Sequence, residues 1–311
     1  MFDVISIGSA TLDILVKSPV LAKKLIGNQS FLTIPYGSKS EIDQLQICSG
    51  GGATNTAVGF SRLGLKAAVL ARCGWDFGGK LIRQELKEEK VDESLLIQLE
   101  NEETDLSVIL VNPEGESTIL VYRGKTRLEK NLIDFDKLNC RWFCISNLEG
   151  NLEMLAALIE YARKNKIKVA LNPGKREIDQ KDKLLALAKN IDLLVINQEE
   201  ADQIGGKPEA YCRKMTAVTQ GEEGVKLFTL KGLLFASGFK MDMVDATGAG
   251  DAFFCGLVAG LAKKWPVEKA LKLGIANGAS VVTEIGAKPG LLREENIHNW
   301  LAKPLKMEWK K

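Results

Sequence analysis

Apolar runs of three to five residues alternate with amphipathic stretches of seven to thirteen along most of this chain. Val4-Ile5-Ser6-Ile7 and residues 67–71, 142–146, 169–171 and 193–196 are apolar almost throughout, so each needs cover on both faces. Residues 53–63, 81–89, 152–164 and 183–189 carry helical periodicity; in the third of these, Met154, Leu155, Leu158 and Ile159 share one face. Strands and helices in alternation predict an α/β fold, with a doubly wound, mostly parallel sheet flanked by helices.

Two segments break the rhythm. Residues 12–40 hold an apolar run at 14–16 and then Phe31-Leu32-Thr33-Ile34. Residues 98–127 hold runs at 107–111 and 117–122 around Asn112-Pro113-Glu114-Gly115, a hairpin signal. Both are expected to form a small β-sheet lid over a core made of residues 1–11, 41–97 and 128–311. Four strands of that core end in polar residues: Ser146-Asn147, Asn172-Pro173, Asn197 and Thr219. Open parallel sheets bind ligands outside the carboxyl ends of their strands, which places a polar crevice there.

Composition narrows the chemistry. With 42 Lys plus Arg against 40 Asp plus Glu, the charge is nearly balanced and gives no reason to expect nucleic acid or an anionic membrane as partner. No apolar stretch approaches the roughly 20 residues of a membrane helix. Met1-Phe2-Asp3 puts an acid where a secretory leader carries positive charge, so a cytoplasmic protein is expected. The six cysteines form no Cys-x-x-Cys pair, and His298 is the single histidine. Zinc sites and Ser-His-Asp triads are therefore excluded, and acid–base chemistry falls to carboxylates or lysines.

The most informative stretch is Val244-Asp245-Ala246-Thr247-Gly248-Ala249-Gly250-Asp251, followed by an apolar helix containing Phe253, Phe254, Leu257 and Leu261. Small residues let backbone approach a ligand, and a helix amino terminus with free amides attracts anions. A carboxylate at that point can take a proton from an alcohol, a combination suited to phosphoryl transfer. Gly50-Gly51-Gly52-Ala53-Thr54-Asn55 opens another helix, where bare amides and the Asn55 carboxamide could face a polyol. Gly74-Trp75-Asp76-Phe77-Gly78-Gly79-Lys80 imitates a P-loop, but Leu81 replaces the hydroxyl that ligates magnesium, so it is read as a turn.

These two glycine-rich segments resemble the paired signatures of the PfkB, or ribokinase-like, carbohydrate kinase family, and the resemblance runs over nearly the whole chain. It implies a ribokinase-like fold and ATP-dependent phosphorylation of a hydroxyl on a sugar or sugar-like molecule. It implies Asp251 as catalytic base and Gly248, Ala249 and Gly250 as the anion hole. Asn197-Gln198-Glu199-Glu200 resembles the family's Asn-x-x-Glu motif, so Asn197 and Glu200 would organise Mg2+, the latter through water. Thr219, Gly221 and Gly224 resemble the nucleotide-binding turn, with Asn172 near the ATP phosphates and Asn277 on the adenine side. Asp13, Gly51, Gly52, Asn55 and Glu149 fall where ribokinases hold substrate. Asp245 lies where some members hold a monovalent cation, making K+ a candidate activator, and lid sheets of the family can pair into homodimers.

Departures limit the acceptor. Thr11 stands where ribokinases carry asparagine, Gly52 where they carry lysine, Gly124-Lys125-Thr126 where they carry Gly-Ala-Asn, and Ala246 where threonine is usual. Strict ribose specificity is thus not expected. A nucleoside kinase of the same fold, with Phe31, Ile34 and Tyr36 covering a base, is the nearest alternative; a non-catalytic sugar or nucleotide sensor is the alternative of another class.

Overall fold

In a computed structural model describing residues 1–310, the apolar runs form the middle of a nine-stranded sheet. From one edge the order is Ala67–Leu70, Phe2–Gly8, Cys140–Ser146, Lys168–Asn172, Leu193–Asn197 and Met215–Thr219, all parallel. Val225–Thr229, Gly232–Ala236 and Met307–Lys310 complete it as antiparallel strands. Successive side chains of a strand point to opposite faces. Ile5, Ile7, Phe143 and Ile145 accordingly pack with Leu155 and Leu158 of the helix Leu152–Lys164. Val4, Trp142 and Cys144 pack on the other side with Phe254 and Leu257 of the helix Ala249–Ala262 and Leu271 of the helix Val267–Val281. Burial of a ring such as that of Phe143 or Phe254 contributes roughly 1.5–3 kcal/mol, so both faces hold firmly. This is the doubly wound arrangement expected from the alternation.

The ladder register matters for the site. Gly8 lies opposite Ser146, Ser146 opposite Asn172, and Asn197 opposite Thr219. The polar strand ends therefore form one row along the carboxyl edge of the sheet.

A four-stranded sheet stands apart, in the order Ser117–Tyr122, Asp105–Val111, Thr11–Lys17, Gln44–Gly50. The expected hairpin is its outer pair. Its other edge corrects the boundaries read from the sequence. The sequence pattern places residues 41–97 in the core, yet Gln44–Gly50 pairs antiparallel with Thr11–Lys17 over its whole length. Thr11, assigned to the core, is the first residue of that small-sheet partner. Phe31-Leu32-Thr33 lies instead in a separate two-stranded hairpin, Ala22–Ile26 with Gln29–Thr33. Gln44-Leu45-Gln46-Ile47 alternates polar and apolar, a strand signal masked by the glycine run that follows. Leu15, Ile109 and Val111 of the small sheet meet Ile285 of the core. Among the described residues no helix is long and apolar enough to cross a membrane.

Candidate active site

The glycine run is dictated by crowding. Gly50 lies against the Asp13 carboxylate, which any Cβ would overlap. Gly51 has φ 89°, and a Cβ there would sit 2.6 Å from the Ser9 carbonyl oxygen. At Gly52 a Cβ would meet Ser146 Oγ at 2.5 Å and Asp251 Oδ1 at 3.4 Å. A residue with a side chain at any of the three would push apart the lid strand, the first strand's loop or the helix bearing Asp251. The helix Gly52–Arg62 starts here, and the Thr54 hydroxyl donates to the Gly50 carbonyl at 2.6 Å.

Asn55, one turn in, donates through Nδ2 to Asp251 Oδ2 at 2.9 Å across 196 residues of sequence. Its Oδ1 is buried with no partner, and so is Ser146 Oγ nearby. Two unpaired buried oxygens beside a carboxylate are unusual, since such groups are nearly always hydrogen-bonded. Both lie beside the carboxylate of Asp251, where hydrogen-bonding capacity is left unused.

Asp251 is the third residue of the helix Ala249–Ala262, whose N-cap is Gly248 in the left-handed region at φ 78°. A Cβ on Gly248 would come within 2.6 Å of Ala287 Cα, so both conformation and space require glycine. The Ala249 amide turns back to the Ala246 carbonyl at 3.3 Å. The helix has no acceptors of its own for the amides of Gly250 and Asp251. A Cβ on Gly250 would meet nothing within 4 Å, so open space fronts this amide cluster. Burial pushes the Asp251 carboxyl above its ordinary range; the Asn55 hydrogen bond and then Lys288 pull it back.

Asp13 is buried in the lid strand beside this point and accepts from the Thr11 hydroxyl at 2.8 Å. Burial raises its carboxyl too, against the Thr11 and Ser107 hydroxyls and Lys288. Glu149, at φ 56°, pairs with Arg123 at 3.1 Å, and Arg123 also binds Asp105 at 2.7 Å. Burial and then Asp105 raise the Glu149 carboxyl. Asp105 and Arg123 were not singled out from the sequence; a lone acid in a strand and a lone arginine after one carry no local signal.

On the other side of Gly250 a cleft of about 240 Å³ opens between Thr219, the turn Gly221–Gly224, Phe239, Phe253 and the helix Val267–Val281. Ile275, Gly278 and Ala279 present that helix to the cleft. Asn277 does not, which corrects the adenine-side expectation. It is fully buried, donating to the Ala252 carbonyl at 2.7 Å and accepting from the Leu292 amide at 2.9 Å. Its amide locks two helices and a loop together, leaving nothing to offer a nucleotide. Asn172 ends its strand by donating to the Val195 carbonyl at 2.9 Å, on the carboxyl edge but outside the cleft lining.

Asn197 and Glu200 form a reciprocal cap on the helix Gln198–Ile204. Asn197 Oδ1 accepts from the Glu200 amide at 2.8 Å, and Glu200 Oε2 accepts from the Asn197 amide at 2.9 Å. The cap fixes the glutamate and leaves Oε1 free; burial raises its carboxyl. Asp245 is buried and holds loops together: Oδ1 accepts from the Thr247 amide and hydroxyl at 3.0 and 2.7 Å, and Oδ2 from the Gly286 amide at 2.8 Å.

A carboxylate at an anion-attracting helix terminus, with an apolar cleft on one side and buried polar groups of the lid and first helix on the other, suits a nucleotide-dependent phosphotransferase. Comparison with known proteins agrees. The chain belongs to the pfkB family carbohydrate kinases, whose sequence model matches residues 15–293. It is 28% identical over 291 residues to a ribokinase of Haemophilus influenzae, covering 86% of this chain and 93% of that one. It is 27% identical over 287 residues to a deoxyribokinase of Salmonella typhi, covering 86% and 92%. Among solved structures, a nucleoside kinase of Methanocaldococcus jannaschii superposes with a TM-score of 0.78 at 22% identity, over 97% of this chain and 98% of that one. An Arabidopsis thaliana ribokinase with ribose and ATP does so with a TM-score of 0.78 at 20% identity, over 97% and 99%. This protein is accordingly an ATP-dependent kinase acting on a hydroxyl of a sugar or sugar-like molecule.

Proposed function

We propose that the acceptor is a sugar held between the lid and the core, with Asp251 as the base that takes the proton of the reacting hydroxyl. The observation that carries this is the Asn55–Asp251 hydrogen bond, which joins the helix of the polyol side to the helix of the anion side at one carboxylate. As the hydroxyl oxygen attacks the γ-phosphorus, its proton passes to Asp251, and ADP leaves with the electrons of the broken P–O bond. The turn Gly248-Ala249-Gly250 is the anion hole for the transferred group; the Gly250 amide, which has no acceptor in the helix, faces its charge, while the Ala249 amide holds the turn by donating to the Ala246 carbonyl. Asp13, Gly51, Gly52, Asn55 and Glu149 hold the sugar hydroxyls, and Thr219, Gly221 and Gly224 hold the nucleotide, with Asn172 toward its phosphates. A bound magnesium ion would supply positive charge to offset that of the phosphates. Glu200 is suited to hold its waters, because Asn197 fixes one carboxylate oxygen and leaves the other free.

Glutamine at position 200 preserves the cap but removes the charge. Glu200→Gln should therefore keep its thermal midpoint while the magnesium concentration for half-maximal rate rises about tenfold. An unchanged magnesium titration would remove Glu200 from this role.

The acceptor is read by an ATP-coupled screen of ribose, deoxyribose, fructose, 2-keto-3-deoxygluconate, adenosine, inosine and cytidine. Turnover with a sugar, and at most a tenth of it with any nucleoside, is expected. Turnover confined to nucleosides would favour the nucleoside-kinase reading. Thermal stabilisation by a ligand without ADP release from any alcohol would favour a sensor.

Three further parts complete the reading. Potassium beside Asp245 would offset a buried carboxylate; a rate indifferent to exchange of potassium for choline at equal ionic strength ends that part. Ile119, Leu120, Val121 and Tyr122 are exposed on one lid edge and Leu45 and Ile47 on the other, so a second copy is proposed to cover the lid. Sedimentation should show a dimer that Leu120→Lys converts to monomer. The six cysteines are unpaired, five of them buried, which suits the reducing cytoplasm; recovery of the protein in a membrane or secreted fraction would contradict it.

A further inference from the structure

Lys288 has no part in the reading above, yet it is a buried ion beside the acceptor pocket. It is 6% exposed. It lies in the loop after the helix Val267–Val281, two residues beyond Gly286. Its ammonium donates to both the carbonyl and the hydroxyl oxygen of Ser49 and pairs with Glu85 Oε1 at 3.2 Å. Glu85 Oε2 accepts from the Ser49 amide at 2.8 Å. Ser49, on the lid strand Gln44–Gly50, is thus clamped by the helix Phe77–Glu88 and by the C-terminal loop.

The residues immediately after Ser49 bring in the site's two carboxylates. Gly50 touches that of Asp13, and Gly52 approaches that of Asp251. The four residues Ser49 to Gly52 thus bring together one cation, Lys288, and three carboxylates, those of Glu85, Asp13 and Asp251. A neutral amide at position 288 could also hold Ser49; what lysine adds is charge. A buried ammonium has to be paired and hydrogen-bonded to be tolerated, and this one is.

We propose that Lys288 is a positioning residue for phosphoryl transfer, a fixed cation that keeps Asp251 and Asp13 ionised under the lid. The proposal rests on the assignment of Asp251 as base. A carboxylate that loses water without gaining a counter-charge takes up a proton and ceases to be a base. Burial pushes both carboxyls up, and Lys288 opposes it in each. The other charged or titratable groups facing them are each other, Glu85 toward Asp13, and two thiols. Burial pushes the Cys48 thiol up to about 11 and that of Cys255 well above its usual value, so neither supplies a competing charge at neutral pH.

The test compares wild type, K288R, K288Q, K288M/E85Q and E85Q. Two readouts are used: carboxyl-carbon NMR titration of Asp13 and Asp251, assigned with D13N and D251N, and the pH dependence of kcat/KM for the acceptor. The double variant removes both ions, so no buried charge is stranded. In it, Asp251 and the acid limb of the rate profile should titrate about one pH unit higher. K288R should follow wild type. E85Q, which removes an anion that raises Asp13, should move Asp13 downward. An unmoved Asp251 in the double variant overturns the proposal; should that variant not fold, an unmoved Asp251 in K288Q, whose neutral amide can still hold Ser49, overturns it. The carboxyl titrations need no turnover, so they stand apart from the assignment of the base, whose failure shows as D251N retaining kcat.

Discussion

Asp251→Asn is expected to bind acceptor and ATP with near wild-type affinity while kcat falls on the order of 10²–10⁴-fold, the range for loss of a positioned general base. Asparagine keeps the shape and can still meet Asn55 after a carboxamide turn, so KM should move little. The same variant should be more stable at neutral pH. Because burial raises the Asp251 carboxyl, the favourable contribution belongs to the protonated form. That contribution is fully present below the unfolded value of about 4 and is lost as pH rises through the higher folded value. At pH 7 the ionised side chain therefore costs stability, and a neutral isostere recovers it. Calorimetry at pH 7 checks this: a thermal midpoint at or above wild type, with activity lost, is expected. A drop in midpoint with kcat retained would mean that Asp251 is a structural cap.

Gly248→Ala should damage both stability and rate, and Gly250→Ala should separate the two. Position 248 sits at φ 78° with Ala287 Cα 2.6 Å from where a Cβ would be. Alanine there costs about 1–3 kcal/mol in backbone strain, before the collision is relieved. Relief must shift the first turn of the helix, and with it the amides assigned to the phosphoryl group, so kcat should fall roughly 10²–10³-fold. Position 250 is helical and a Cβ there meets nothing, so Gly250→Ala should leave the midpoint unchanged or slightly raised. Its kcat then reports whether the space in front of that residue is used. Equal midpoints for the two variants would show that the turn is freer than its geometry indicates.

Much of the fold was legible because its evidence is local. Short β-branched runs such as Val4-Ile5-Ser6-Ile7 read as buried strands by length and composition, and residues 152–164 show one apolar face whatever lies around them. The helix starts at Gly52 and Ala249 announced themselves through glycines, which mark where the backbone needs freedom or room. The lid was read less well. Gln44–Gly50 pairs with Thr11–Lys17, more than 25 residues earlier, and its weak alternation was absorbed by the glycines beside it. Asn277 misled for a related reason. A polar residue on an apolar helix invites a functional reading until its partners, the Ala252 carbonyl and the Leu292 amide, are seen.

The order of elements, the glycine-rich turns and the carboxylate placed after the second of them follow from the chain alone, because each depends on periodicity or on backbone freedom within a few residues. Which groups meet was decided by tertiary structure: Asn55 with Asp251, Arg123 with Asp105 and Glu149, Lys288 with Ser49 and Glu85. Such meetings join segments separated by tens to hundreds of residues. They are set by sheet register and by the packing of helices over it, and no local pattern encodes either.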